Sequence, residues 1–349
     1  MDPKTVETLE NTAREMVPAG RGILAADESF GTIAKRFSAA GIGDTEDNRR
    51  AYREMLFTTP GVGSYLSGVI MFDETIRQKS SEGKPFPQVL EDQGIIPGIK
   101  VDGGAKDLAL SPGEKVTEGL DGLRERLSEY RALGARFTKW RAVITIDEST
   151  GIPTQRCIDA NAHALARYAA LCQEQDLVPI VEPEVLIDGT HSIEKSYEVT
   201  LNTLHSTFDE IHRQNVDVRG MILKPNMVIS GKDAPHQAEV HNVARYTVEC
   251  LLRTVPAAVP GIAFLSGGQS DLQATAHLNA MNDRARQHGP WPWELSFSYA
   301  RALQDVPMKT WGGDPSRVEE AQRIFLHRAK MNGAARSGSY TEEMENEAA

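Results

Sequence analysis

Cysteine is scarce in this chain of 349 residues, and no part of it is a long apolar run. The three cysteines, Cys157, Cys172 and Cys250, lie too far apart for a metal-ligand pair or a disulfide framework, which is typical of a reducing compartment. No segment approaches the roughly 20 apolar residues of a membrane-spanning helix, and the first residues do not resemble a signal peptide. We therefore expect a cytoplasmic protein without a membrane partner.

Basic residues are also fewer than acidic ones, at 38 against 49, and the formal net charge is −11. An acidic chain is poorly suited to nucleic acid or to an anionic membrane surface. The nine histidines offer no H-x-H or H-E-x-x-H spacing, so we expect neither a metal ion nor another cofactor. If the substrate is anionic, lysine and arginine must be concentrated around it.

What the sequence does contain is a repeated alternation of short apolar runs with longer amphipathic segments. The runs end in charged residues or glycine, as strands do before loops, and the segments between them have helical spacing. Ser270 and Asp271 are candidate caps for one such helix. The predicted strands are residues 22–26, 67–72, 98–101, 136–141, 178–184, 220–224, 262–266 and 295–298. The clearest predicted helices are residues 120–133, 157–175, 193–213, 236–253 and 272–286.

Eight βα units without a linker favour one α/β domain, a single (β/α)8 TIM barrel. A doubly wound open sheet is the alternative, but no G-x-G-x-x-G follows the first strand, and polar residues end nearly every strand instead of clustering at one switch point. We expect the barrel domain to span residues 1–335. Residues 336–349, rich in Ser, Gly and Glu, are predicted to be a mobile acidic tail.

Three carboxylates follow apolar runs, at the strand ends where such barrels place their active sites. Taken alone, Asp27 is better explained as a helix cap or an ion-pair partner than as a catalyst. Glu182 and Glu184 share one face of the fifth strand, with Pro183 between them. Two carboxylates so placed repel each other, so one would tend to keep its proton and act as a general acid, although a structural pair neutralised by cations has the same pattern.

Two lysines and an arginine end the fourth and sixth strands. Lys139 and Arg141 alternate with Trp140, so both cations would face the barrel mouth, unless they form a solvated pair at a sheet edge. Lys224 lies between apolar residues of the chain, and in the barrel its side chain would face Lys139 and the two glutamates. Burial and a neighbouring cation favour the neutral amine that a nucleophile requires, but half of a buried ion pair explains Lys224 alone equally well.

The seventh and eighth strands lead to a turn and a cation that suit a phosphate. Gly267 and Gly268 precede a predicted helix, so their N–H groups could close on an anion, and Arg301 follows the next strand. Loops at these positions are the usual phosphate site of such barrels, although a simple tight turn has the same glycines. An amine, carboxyl groups, cations and a phosphate turn together fit Schiff-base cleavage of a carbon–carbon bond in a sugar phosphate.

Five segments resemble those of the class I fructose-bisphosphate aldolases, in the same order along the chain from about residue 20 to residue 330. They are GILAADES from residue 22, KWR from 139, VEPE from 181, LKPNM from 223 and FLSGGQS from 264. The resemblance implies a glycolytic lyase that cleaves fructose 1,6-bisphosphate reversibly to dihydroxyacetone phosphate and glyceraldehyde 3-phosphate without a metal. It also implies a homotetramer, which the residues themselves do not indicate.

The resemblance further implies a role for each residue. Lys224 would form the Schiff base, and Glu182, assisted by Glu184 and Lys139, would dehydrate the carbinolamine. Asp27 would accept the proton of the C4 hydroxyl as the C3–C4 bond breaks. The 1-phosphate would be held by Ser266, Gly267, Gly268, Ser298 and Arg301. Candidates for the other phosphate are Ser29, Thr32, Arg36, Lys100 and Arg141.

Two features depart from the family pattern. Ala300 stands where many members have glycine, and the chain ends without the carboxy-terminal tyrosine of the animal enzymes, so no catalytic role is transferred to this tail. Two other functions stay open. A transaldolase would keep the lysine but would not need two phosphate sites, and a non-catalytic scaffold would bind partners without turnover.

Overall fold

Eight parallel strands close into a barrel in the computed structural model, which describes residues 1–346. They follow chain order around the barrel, and the last strand pairs with the first. This confirms the predicted (β/α)8 TIM barrel, and each predicted strand differs from the observed one by a few residues at most. The barrel strands are β1 (Gly22–Ala26), β2 (Leu66–Met71), β3 (Ile96–Lys100), β6 (Phe137–Ile144), β7 (Val178–Val185), β8 (Ile222–Leu223), β9 (Gly261–Phe264) and β10 (Glu294–Tyr299).

Helices surround the barrel, and none within residues 1–346 is long and apolar enough to cross a membrane. Outside the barrel, β4 (Ala105–Asp107) and β5 (Lys115–Thr117) form an antiparallel hairpin that we did not predict. The helices are α1 (Pro3–Glu15), α2 (Phe30–Ala39), α3 (Glu46–Phe57), α4 (Asp73–Arg77), α5 (Phe86–Glu91), α6 (Leu123–Ala132), α7 (Gln155–Glu174), α8 (Ile193–Arg213), α9 (Val240–Thr254), α10 (Asp271–His288), α11 (Arg301–Trp311) and α12 (Val318–Arg336).

A side-chain cap fixes the start of α10, the helix that follows β9. The hydroxyl of Ser270 accepts a hydrogen bond from the N–H of Gln273, whose side chain in turn accepts one from the Ser270 N–H, so α10 begins with a capping box. Ser270 is therefore the cap, as predicted. Asp271 is the first helical residue, where its charge suits the helix dipole.

The barrel interior is apolar at the end where the strands begin. Ile23, Ile180 and Phe137 belong to an interior cluster that also includes Leu9 and Val17 from the amino-terminal segment. The hydroxyl of Ser67, at the start of β2, donates to the carbonyl oxygen of Met16 at 2.6 Å. Because α1 and the residues after it seal this end, a polar cavity open to ligands can form only at the carboxyl ends of the strands.

The segment after residue 335 packs on the barrel as far as the structure describes it. Arg336, the last residue of α12, is buried and donates to the carbonyl oxygen of Val17 at 2.9 Å and to Glu294 at 2.7 Å. The boundary predicted after residue 335 therefore falls inside a packed helix. Tyr340 is also buried. Residues 347–349 of the predicted tail lie outside the described residues, and the tail's mobility stays a prediction.

Candidate active site

Polar side chains surround a cavity of about 400 Å³ at the carboxyl ends of the barrel strands. Every predicted site residue lines this cavity except Gly268, which lies beside it, since a Cβ built on Gly268 would be 3.5 Å from Nη2 of Arg301. The strand-end rule thus found the charged residues of the barrel strands and the glycine turn, whereas Ser29, Thr32, Arg36, Ser266 and Ser298 came from the family resemblance. Four other lining residues, Ala25, Glu28, Lys35 and Leu265, were not predicted as site residues, and Ala300 was noted only as a departure from the family pattern.

Strand alternation places the charged residues of β6 as predicted. The indole of Trp140 points outward and stacks on Tyr168 of α7, with ring centroids 5.5 Å apart. Lys139 and Arg141 therefore turn to the other face, where both line the cavity. The two cations do not form a solvated edge pair, because β6 lies between β3 and β7.

Lys139 is held as a permanent cation. Its Nζ lies 2.6 Å from Oδ2 of Asp27 and 3.3 Å from Oε2 of Glu182, and its side chain is only 5% exposed. Burial opposes the charge, but the two carboxylates outweigh burial and raise the pKa of Lys139 well above its ordinary value. The positive charge of Lys139 therefore holds the carboxylates of Asp27 and Glu182 in place.

Asp27 is the ion-pair partner that its sequence context suggested, and it is also part of the cavity wall. Burial opposes its ionisation, but the charges of Lys139 and Lys224 outweigh this effect and lower the pKa of Asp27 to about 2. Asp27 is therefore ionised across the physiological pH range, with a carboxylate available as a proton acceptor.

Lys224 lies immediately after β8 and is fixed by the neighbouring strand, since its backbone N–H donates to the carbonyl oxygen of Val181 at 2.8 Å. Its side chain is 4% exposed, and its Nζ lies 3.3 Å from Oε1 of Glu182. Among residues 1–346, Glu182 is the one carboxylate within 4.0 Å of this amine. Lys224 is thus more weakly paired than Lys139.

The two glutamates of β7 have different surroundings. The carboxylate of Glu182 lies between Lys224 and Lys139, and its Oε2 is buried without a hydrogen-bond partner among the described residues. Glu184 instead accepts a hydrogen bond from Nε of Arg141. Glu184 is therefore a carboxylate neutralised by one cation, whereas the carboxylate of Glu182 is shared between two lysines.

The Gly267–Gly268 turn closes one side of the cavity. The carbonyl oxygen of Ser266 accepts a hydrogen bond from the N–H of Gln269 at 3.0 Å, and the φ angles of the glycines between them are +56° and +88°. Both angles lie in the left-handed region, which explains why glycine occupies both positions. The hydroxyl of the nearby Ser298 is buried without a partner among residues 1–346.

Ala300 is the residue that precedes α11, and it lines the same side of the cavity just before Arg301. Its φ is −103°, so this position does not require the glycine that many family members have there. The Ala300 backbone therefore lies outside the left-handed region that favours glycine.

The amino terminus of α2, which follows β1, forms another part of the cavity wall. Ser29 precedes the helix, and its hydroxyl lies 3.3 Å from that of Thr32 in the first turn. Lys35 lies one turn further along the same helix and also lines the cavity, so the i, i+3 spacing from Thr32 was the signal that could have identified it. Free N–H groups, hydroxyls and an amine here suit an anion.

Two predicted phosphate ligands near this side are already paired with carboxylates. Nζ of Lys100 lies 2.5 Å from Oδ1 of Asp102. Arg36 binds Glu28, and its Nη2 lies 2.9 Å from Oδ1 of Asp305 on α11. Arg36 thus lines the cavity while it also connects α2 to α11.

Glu28 anchors the loop after β1, and it was missed in the sequence because the fold brings its partners, Arg36 and Arg53, to it from two different helices. Its carboxylate binds Arg36 and accepts a hydrogen bond from Nη2 of Arg53 at 2.7 Å. Burial opposes ionisation of Glu28, but these two guanidinium groups lower its pKa below the ordinary value. The loop that carries Asp27 and Ser29 is held in place by this charge cluster.

Within residues 1–346, no group of three or more His, Cys, Asp or Glu side chains is placed to hold a metal ion. A barrel that buries a lysine beside a carboxylate, between a glycine turn and a helix amino terminus, has the features of an aldolase that works through a lysine Schiff base.

Comparison with known proteins supports this class. The family model of the class I fructose-bisphosphate aldolases matches residues 8–349. A probable class 1 fructose-bisphosphate aldolase of Xylella fastidiosa strain 9a5c is 59% identical over 337 residues, which cover 96% of this chain and 99% of that protein. Fructose-bisphosphate aldolase 1 of Toxoplasma gondii is 50% identical over 337 residues, which cover 97% of this chain and 92% of that protein.

A solved structure is similarly close. The fructose-bisphosphate aldolase of Plasmodium falciparum superposes with a TM-score of 0.95 at 46% identity, and the match covers 98% of this chain and 97% of that one. The chain belongs to the class I fructose-bisphosphate aldolase family, whose general mechanism is a lysine Schiff base. It is therefore a carbon–carbon lyase.

Proposed function

We propose that this chain cleaves fructose 1,6-bisphosphate reversibly to dihydroxyacetone phosphate and glyceraldehyde 3-phosphate, with Lys224 as the Schiff-base lysine. The observation that carries the assignment is the contrast between two buried amines. Lys139 lies 2.6 Å from one carboxylate and 3.3 Å from another, and these carboxylates raise its pKa. The amine of Lys139 therefore stays protonated and has no free electron pair for attack. Lys224 has one carboxylate at 3.3 Å and is the amine with fewer constraints on attack.

Glu182 is placed to move the protons of Schiff-base formation. After Nζ of Lys224 attacks the C2 carbonyl, the carbinolamine must lose its hydroxyl as water, which requires a proton from a nearby acid. Glu182 Oε1 lies 3.3 Å from that nitrogen, and Glu182 Oε2 has no hydrogen-bond partner among residues 1–346. Lys139 holds Glu182 from the other side, and Glu184 lines the same wall.

Asp27 is placed to accept the proton that cleavage releases. When the C4 hydroxyl loses its proton, the electrons of the C3–C4 bond move to the iminium and form an enamine, and the aldehyde product leaves. A group that is ionised before the reaction must take this proton. Asp27, with its pKa of about 2, meets that condition, and Lys139 orients its carboxylate.

Two separate groups of anion ligands in the cavity wall support a bisphosphate substrate. The glycine turn, with Arg301 beside Gly268, would hold the 1-phosphate. The α2 amino terminus with Lys35 and Lys100 would hold the phosphate of the other end. This arrangement favours the aldolase over a transaldolase or a scaffold. We extend the proposal to a cytoplasmic homotetramer in glycolysis, on the support of the family and of relatives such as the cytosolic aldolase 4 of Arabidopsis thaliana, 50% identical.

Borohydride trapping tests the assignment of Lys224. Dihydroxyacetone phosphate with borohydride should leave a mass adduct on Lys224 and inactivate the enzyme, and Lys224→Met should abolish both effects. Lys139→Met is the matched control, because it removes the other buried amine and should still give an adduct on Lys224, at a lower rate. An adduct on Lys139, or complete loss of activity to EDTA, would contradict the proposal.

A further inference from the structure

A buried histidine that the proposed mechanism does not use lies behind the Gly267–Gly268 turn. His277 is on the second turn of α10 and is 3% exposed. Its Nδ1 lies 2.5 Å from Oε1 of Gln269, which is itself 8% exposed. Neither side chain lines the substrate cavity.

Gln269 holds the turn with two hydrogen bonds to one atom. Its side-chain Nε2 donates to the carbonyl oxygen of Ser266 at 3.0 Å, and its backbone N–H donates to the same oxygen at 3.0 Å. His277 fixes the far end of the Gln269 side chain, so the turn is connected through Gln269 to the rigid helix that follows it.

The carbonyl oxygen at one end of this chain of hydrogen bonds determines which group donates in each bond. A carbonyl oxygen only accepts, so the amide NH2 of Gln269 must face Ser266 and its Oε1 must face His277. The Nδ1 of His277 therefore carries a proton and donates it. Burial also lowers the pKa of His277 to about 4, which leaves the ring neutral at physiological pH with this proton on Nδ1.

We propose that His277 and Gln269 are positioning residues that hold the phosphate-binding turn in its binding conformation before substrate arrives. Two successive glycines have unusual backbone freedom, and ordering them at the moment of binding would reduce affinity. The two hydrogen bonds from Gln269 impose that order in advance. The inference rests on the proposed function and adds a source of affinity for the phosphate on this side of the cavity.

The consequence differs for ligands with and without a phosphate. Dihydroxyacetone phosphate and dihydroxyacetone both present a ketone to Lys224, but only the first has a phosphate for the turn. Loss of the His277 hydrogen bond should raise the half-saturating concentration of dihydroxyacetone phosphate in borohydride trapping by about three- to tenfold, the scale of one hydrogen bond. The value for dihydroxyacetone and the trapping rate at saturation should change by less than about twofold.

The variants separate this effect from general damage. His277→Leu keeps volume and removes the donor, whereas His277→Asn keeps an N–H donor near the position of Nδ1 and should restore the wild-type value. Gln269→Glu keeps an oxygen towards His277 and places a second oxygen against the Ser266 carbonyl, so it should repeat the selective loss. His288→Leu, an exposed histidine at the end of the same helix, is the matched control.

Equal losses for both ketones, or no loss for either in His277→Leu and Gln269→Glu, would overturn the positioning role and leave the proposed function standing. Failure of the wild-type chain to form any adduct on Lys224 would overturn the function and this inference together.

Discussion

The carboxylate of Glu182 lies between two buried amines, so a conservative change at this residue should strongly reduce activity. Glu182→Gln keeps the shape of the side chain but cannot deliver a proton to the carbinolamine. We expect Schiff-base formation, followed by borohydride trapping at saturating dihydroxyacetone phosphate, to slow by roughly 10²-fold or more, the usual scale of general acid–base catalysis.

Glu184→Gln is the matched control for this prediction. Glu184 lies on the same strand face but is paired with Arg141, so the variant should slow trapping by less than about tenfold, below the usual range for a general acid. An unchanged trapping rate in Glu182→Gln would assign the proton transfer to another group.

Single residues show how far the sequence could predict the site. Period-two alternation was sufficient to place Lys139 and Arg141 on the cavity face, because it depends only on local backbone geometry. It could not show that Arg36 binds Asp305, since the two are 269 positions apart and meet only when the barrel closes. Pairing between charges is a property of the tertiary structure.

Elements were predictable where the pattern was long and failed where it was short. The predicted helix 193–213 matches α8 because its apolar spacing runs over 21 residues. The hairpin of β4 and β5 was missed because each strand has three residues, and the side chains of β4 are all exposed, so no apolar alternation marks it. The sixth barrel strand, β8, is only Ile222–Leu223, shorter than the predicted 220–224.

The carboxyl ends of different strands carry the two proposed phosphate sites, so the sites should be separable by mutation. Arg301→Ala should weaken every substrate with a 1-phosphate. Lys100→Ala should reduce kcat/KM for fructose 1,6-bisphosphate about tenfold or more beyond its effect on fructose 1-phosphate, which has no second phosphate. One charge-assisted contact of roughly 1.5–3 kcal/mol accounts for that difference.

Fructose 1-phosphate is the internal control, because Lys100 also binds the buried carboxylate of Asp102. Loss of that ion pair would lower activity on both substrates alike. Equal losses would therefore show that Lys100 maintains the loop and does not bind phosphate.

At the scale of the whole molecule, the end of the chain returns to the barrel. The guanidinium of Arg328 on α12 donates to Glu345 at 2.6 Å and to the hydroxyl of Thr275 on α10 at 2.8 Å. The phenol of Tyr340 donates to the same glutamate at 2.9 Å. The composition of the tail predicted mobility. It could not indicate these contacts, because they depend on Arg328, which lies outside the tail.

These contacts indicate that the tail stabilises the fold and does not take part in catalysis. None of residues 336–346 lines the cavity, and Tyr340 is bonded to Glu345 within the tail itself. Protonation of the enamine on Lys224 would then depend on water or on Glu182 and Glu184. A truncation should separate stability from chemistry, because it removes the Glu345 partner of Arg328 and leaves the cavity wall intact.

We therefore expect deletion of residues 341–349 to lower Tm by about 2 °C or more, the scale of a loss near 1 kcal/mol, while cleavage and C3 proton exchange of dihydroxyacetone phosphate stay within about threefold. Burial opposes ionisation of Glu345, but Arg328 outweighs it and lowers the pKa below the ordinary 4.5. A lowered folded-state pKa contributes stability above the unfolded value and loses it as pH falls through the folded value, so the Tm difference should shrink below about pH 4.5.

Glu345→Gln should reproduce part of the loss, whereas Glu342→Gln, an exposed glutamate of the same segment, should not. Collapse of proton exchange with unchanged borohydride trapping would show instead that the tail takes part in the chemistry.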